Sequence, residues 1–129
     1  MARADSPMAT RSTARSDDDA VFTASAELFA LLATPVRLKV IRALDGVEKN
    51  VSQLQAEVGT TQPNLSQHLS TLYRAGVLTK RREGTQIHYR LASERVGMLC
   101  RAVCQQVALE LEGRVALPAE QRLLPLGGR

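Results

Sequence analysis

Apolar residues in this chain recur at helical spacing as far as Gly76 and alternate as in a strand soon after it. Phe22, Leu28, Leu31 and Leu32 predict a first helix from about Thr23 to Ala33, in a stretch where alanine is frequent. Thr34-Pro35 breaks it and starts a second helix, with Thr34 as cap and the proline at the first position. Val36, Val40, Ile41 and Leu44 repeat at helical spacing up to Asp45-Gly46. A third helix opens at Asn50 or Ser52, carries Val51, Leu54 and Val58 on its apolar side, and stops at Gly59. Thr61 caps the fourth, with Pro63 tolerated in its first turn. There Leu65, Leu69 and Leu72 lie within roughly 60° of one another at about 100° per residue, which makes them a buried stripe.

Val77 to Lys80 and Gln86 to Leu91 read as a β-hairpin around Glu83-Gly84-Thr85, with Ile87, Tyr89 and Leu91 alternating along its second strand. A long last helix runs from about Ser93 to Glu112, where Ser93 caps, Glu94 suits the positive end and Gly113 stops it. Val96, Leu99, Cys100, Val103, Cys104, Val107 and Leu111 share one broad stripe on it. That stripe is more than one small domain can cover. It predicts burial of Val96, Leu99, Val103, Val107 and Leu111 against a second copy of the chain. The expected fold is mainly α with a β-hairpin wing: a winged helix-turn-helix of four helices, two strands and a fifth helix, dimerising through its terminal helices. Its expected extent is residues 21–112. Residues 1–20, small, polar and charged with the Asp17-Asp18-Asp19 triplet, are expected as a disordered tail, and residues 113–129 as an irregular one.

Composition narrows the class of partner. With two phenylalanines, two tyrosines and no tryptophan, the core must be aliphatic. No apolar run approaches the roughly 20 residues of a membrane span, and nothing resembles a signal peptide, so a cytoplasmic protein without a membrane partner is expected. From Arg74 to Arg95 there are six basic residues and two acidic ones, an excess of four that equals the net charge of the whole chain. A basic patch confined to the hairpin region is the footprint of a surface that contacts phosphate. No nucleophile–base pairing, Gly-rich phosphate loop or cluster of carboxylates points to an enzyme.

The outward side of the fourth helix is polar and nearly uncharged, with Gln62, Asn64, Ser66, Gln67, Ser70 and Thr71 available to hydrogen-bond base edges in double-stranded DNA. A merely solvated face would carry more Glu and Lys. His68 lies at the edge of the leucine stripe, placed for packing or for phosphate. At the rim of the hairpin, Arg81, Arg82 and Gln86 are expected to meet the DNA backbone or the minor groove.

Thr34-Pro-Val-Arg-Leu38, Gln62-Pro-Asn-Leu-Ser-Gln-His-Leu69, Ala75-Gly-Val-Leu78, Arg82-Glu-Gly84 and His88-Tyr-Arg-Leu91 together resemble the ArsR/SmtB family of winged-helix repressors, over roughly residues 22 to 112. The resemblance implies a homodimer that binds an inverted-repeat operator and lets go when an inducer reaches an allosteric site. This chain departs from the family's common sensing sites. Where many metalloid sensors have Cys-x-Cys it reads Glu48-Lys-Asn-Val-Ser-Gln53, its last helix lacks the Asp and His of zinc and nickel sensors, and Arg42 stands where persulfide sensors have a cysteine.

What remains is Cys100 and Cys104, the chain's two cysteines, one helical turn apart on the last helix. As thiolates they can bind As(III), Sb(III), Cd(II) or Zn(II), with further ligands from a partner helix or solvent, or they can be oxidised or take up reactive sulfur. Cysteine is also a small hydrophobe that is often simply buried. The leading expectation is therefore a repressor released through a thiol pair. The alternative is a constitutive winged-helix DNA-binding or architectural protein with structural cysteines. Neither His68 nor His88 has a third ligand at a recognisable spacing, so a histidine metal site is not expected.

Overall fold

The computed structural model describes the backbone of residues 7–116 and the side chains of residues 16–113. By internal contacts the chain divides into two units, Met1–Thr34 and Pro35–Arg129.

In the first unit, helix α1 spans Pro7–Leu32. This corrects the expectation of a disordered tail through Ala20, since residues 7–20 are helical; residues 1–6 lie outside the described residues. The physical reason is visible afterwards. After Pro7, which suits a first turn, the segment has no glycine or proline, and alanines are spread through it. Helix propensity, rather than polar composition, decides the state of this segment. Val21, Phe22 and Phe29 are all more than half exposed on this helix.

The second unit follows the expected order with one added strand, β1: α2 (Pro35–Ala43), β1 (Lys49–Asn50), α3 (Val51–Val58), α4 (Gln62–Arg74), β2 (Leu78–Glu83), β3 (Gln86–Leu91) and α5 (Glu94–Ala116). Asn50 starts α3 with a reciprocal capping box. Its Oδ1 accepts from the Gln53 amide, and its own amide donates to the Gln53 side chain, both at 2.8 Å. Gly59 ends the helix at φ 77°, a left-handed conformation that costs glycine nothing. Thr61 caps α4 through the Asn64 amide. Only Gly59, Thr60 and Thr61 separate the two helices, as in a helix-turn-helix.

The core is wholly apolar among the described residues. Val40, Ile41 and Leu44 are buried, as are Leu54 and Val58, the stripe Leu65, Leu69 and Leu72, and Val77, Leu78 and Tyr89. Beside it lies an antiparallel sheet in the order β1-β3-β2. Two corrections concern the hairpin and α5. The loop is the two residues Gly84-Thr85, with Glu83 paired to Gln86, so Arg81 and Arg82 lie within β2 rather than in a turn. Gly84 at φ 64° is what permits so short a loop. Helix α5 continues through Gly113 to Ala116, because one glycine in a helix costs only about 1 kcal/mol; the rest of the expected tail, residues 117–129, lies outside the described residues.

Candidate nucleic-acid interface

Helix α4 presents the polar side that its sequence predicts, but its members differ in readiness. Gln62, Ser66 and Gln67 are exposed, and their side chains make no hydrogen bond among the described residues. Ser70 is half-buried. Asn64 is half-buried too, its Nδ2 donating to Thr60 Oγ1 at 2.8 Å. Thr71 turns its hydroxyl back onto the Gln67 carbonyl at 3.0 Å. His68 packs inward: Nδ1 accepts from Arg37 Nε of α2 at 3.0 Å, and burial, then the neighbouring guanidinium, holds its pKa below the ordinary 6.5. It is a neutral link between α2 and α4.

The wing carries its cations in three different states. Arg82 is exposed, its Nε donating to the Gly84 carbonyl at 3.2 Å. Lys80 stands over the Tyr73 ring, 4.3 Å from its centre, a cation–π contact that ties the wing to the end of α4. Arg81, expected as a phosphate contact, is held by a carboxylate. Its Nε and Nη2 meet Glu48 at 2.8 to 3.1 Å, and Nη1 lies 3.3 Å from Glu83. That contact holds the Glu48 carboxyl below its usual range and pushes Arg81 up. Gln86 accepts from Asn50 Nδ2 at 3.0 Å, which joins the wing to the start of α3. His88, on the same face, has Nε2 3.3 Å from Glu83 Oε1 but without hydrogen-bonding geometry, so this buried nitrogen has no hydrogen-bond partner among the described residues.

The last helix separates its two cysteines. Cys100 is 6% exposed, whereas Cys104 is open to solvent. Burial pushes the Cys100 thiol pKa up, with smaller contributions from Cys104 and Asp45. Asp45 follows α2 and accepts from Arg101 Nε at 3.0 Å. It presses on α5 at Gly97, where an added Cβ would lie 2.7 Å from Asp45 Oδ1. The Glu48–Arg81 and Asp45–Arg101 pairs both line an open groove of about 840 Å³, so solvent and ions reach them. Of the expected dimer contacts, Val96, Leu99 and Val107 are half-buried, while Val103 and Leu111 are each 50% exposed. No group of three or more His, Cys, Asp or Glu side chains among the described residues is arranged to hold a metal ion.

Sequence reasoning missed Glu48, Asp45 and Arg37 as partners of site residues. Each pair joins positions more than 30 apart, and no local spacing signals such contacts.

Comparison with known proteins agrees with this geometry. Residues 34–80 match the family model described as bacterial regulatory protein, arsR family. The uncharacterized HTH-type transcriptional regulator Rv0081 of Mycobacterium tuberculosis is 32% identical over 107 residues, 82% of this chain and 94% of that protein. Its crystal structure superposes with a TM-score of 0.63, covering 74% of this chain and 96% of that one at 33% identity. A protein of Streptomyces lividans named "Probable mercury resistance operon repressor" is 31% identical over 99 residues, 74% of this chain and 79% of its own length. The solution structure of a homodimeric winged helix-turn-helix DNA-binding domain, Mb0332 of Mycobacterium bovis, has a TM-score of 0.64 at 29% identity, covering 74% of this chain and 89% of the fragment. Among the described residues, no single helix is long and apolar enough to cross a membrane. With a helix-turn-helix, a basic wing and a relative matched over nearly its whole length, this chain belongs to the ArsR family of bacterial transcriptional regulators, winged-helix DNA-binding proteins rather than enzymes.

Proposed function

We propose that the protein is a homodimeric cytoplasmic repressor that binds an inverted-repeat operator through α4 and the wing, and releases it when an inducer acts on Cys100 and Cys104. One observation carries the reading of DNA: Gln62, Ser66 and Gln67 are exposed and unpaired on the second helix of the helix-turn-helix, beside the cations of β2. The homodimer of the Mycobacterium bovis relative, together with the exposed Val103, Leu109 and Leu111, supports dimerisation through α5. Two copies set two recognition helices about one DNA turn apart, which is what an inverted repeat requires.

The thiol pair fits a soft ion in part. One chain offers two sulfur donors a turn apart, and As(III), Sb(III), Cd(II) or Zn(II) would need its remaining ligands from the partner chain or solvent. The mercury resistance repressor among the relatives favours a soft metal over oxidants or reactive sulfur. Because burial disfavours the Cys100 thiolate, a metal must displace its proton or the helix must open locally.

The test begins with an operator selected from random duplexes. Binding is then titrated against As(III), Cd(II), Zn(II), peroxide and polysulfide, for the wild type and for Cys100→Ser and Cys104→Ser. An inducer should lower affinity at least about tenfold, a coupling of roughly 1.4 kcal/mol, and either serine should abolish the response while leaving uninduced binding intact. A double serine variant that responds fully places the sensor elsewhere.

A further inference from the structure

Arg81 stands on β2, three residues before the wing tip at Gly84, within reach of the DNA that a winged helix straddles. Its guanidinium is nevertheless committed to another partner. Glu48, just ahead of β1, takes Nε and Nη2 through three contacts of 2.8 to 3.1 Å, a two-pronged pairing that matches the planar fork of arginine to a carboxylate. Glu83 adds a single contact at 3.3 Å. The side chains are 52% and 30% exposed for Arg81 and Glu48, and the pair lines an open groove, so an incoming phosphate can compete for the same fork. By contrast, neither Arg82 nor Lys80 has a carboxylate partner among the described residues.

We infer that Glu48 is a positioning residue that restrains Arg81 from phosphate and so sets the DNA affinity of the wing below what its cations would give. This rests on the assignment of the chain as a DNA-binding regulator and concerns a residue outside its recognition helix. A carboxylate beside the DNA acts in two ways. It repels the backbone directly, and it occupies an arginine whose fork would otherwise take a phosphate oxygen. Only the second effect depends on Arg81, so the two can be separated by mutation.

The experiment measures binding of the full chain to a random-sequence duplex by fluorescence anisotropy from 50 to 300 mM salt. The wild type is compared with Glu48→Gln, Glu83→Gln, Arg81→Gln and the double variant Glu48→Gln/Arg81→Gln. Glu83→Gln removes the same charge from the same face while leaving the two-pronged contact in place. Glu48→Gln should bind roughly three- to tenfold more tightly near 0.15 M salt, with the salt slope steeper by about 0.9 for one added phosphate contact. In the double variant, compared with Arg81→Gln, the added salt slope should vanish and the gain in affinity should shrink to the clearly smaller one given by Glu83→Gln. Equal gains in Glu48→Gln and Glu83→Gln, a gain that survives at full size without Arg81, or no gain in Glu48→Gln would each overturn the proposal. Absence of salt-dependent duplex binding by the wild type would instead strike the DNA-binding assignment.

Discussion

Replacing Gly97 with alanine tests how tightly α5 is joined to the loop after α2. An exposed helical glycine changed to alanine gains about 1 kcal/mol from propensity alone. At Gly97 the new methyl would lie 2.7 Å from Asp45 Oδ1, 3.2 Å from its Cγ and 3.1 Å from Leu91 Cδ1. The first distance is untenable, so the carboxylate must retreat and give up its 3.0 Å contact with Arg101. That half-exposed pair contributes about 0.2–1 kcal/mol, and crowding at a packed site costs about 1–3 kcal/mol more. The expected net effect is a loss of about 1 kcal/mol. With Asp45 already changed to alanine, most of the obstruction is gone and Gly97→Ala should stabilise by about 0.5–1 kcal/mol. A coupling of about 1.5–2 kcal/mol between the two sites follows. Urea unfolding of the four proteins, at one fixed concentration because a dimer's stability depends on it, supplies the cycle. If Gly97→Ala stabilised both backgrounds equally, the close approach of Asp45 to α5 would be refuted.

Three further outcomes are expected. Gln67→Ala should lose discrimination at particular base pairs by about 1–3 kcal/mol, whereas Arg82→Ala should weaken all duplexes alike and flatten the salt slope; the reverse pattern in anisotropy titrations would misplace the recognition helix. Charge at the half-exposed Val103, as Val103→Glu, should dissociate the dimer at micromolar concentration and weaken operator binding with it, as sedimentation velocity would show. Because the folded state depresses the His68 pKa, folding disfavours its protonation, so this site's stabilisation is complete above about pH 6.5 and falls as the solution is acidified below it. Thermal melts between pH 7.5 and 5 should show that fall, reduced in His68→Gln; equal slopes would remove His68 as its source.

What could be read from the sequence was local. The caps at Asn50 and Thr61, the stop at Gly59 and each step of the stripe from Leu65 to Leu69 to Leu72 span four positions or fewer, where backbone geometry fixes the outcome. Alternation along Ile87, Tyr89 and Leu91 revealed β3, but two residues are too few for any period to reveal β1. The N-terminal half of α1 was hidden by polar composition. At the interface, sequence located the polar side of α4 without showing that Asn64, Thr71 and His68 are occupied internally. Nor could it foresee that Glu48 would arrive from 33 residues away to hold Arg81. Helical spacing put Cys100 and Cys104 on one side of α5, yet the edge of the core is drawn by α2 and its loop, which only the fold brings there.

That edge gives any chemistry on the cysteines an order in time. In a single chain, a reagent arriving from solvent meets Cys104 at once, but Cys100 only when the start of α5 lifts from its neighbours. The first modification therefore proceeds at the pace of encounter, and the second at the pace of a local opening. On the proposed function, a brief pulse of inducer would mark Cys104 and fade before the buried thiol engaged, while a sustained one would reach both. The protein would then respond to how long a stress lasts as well as to how strong it is.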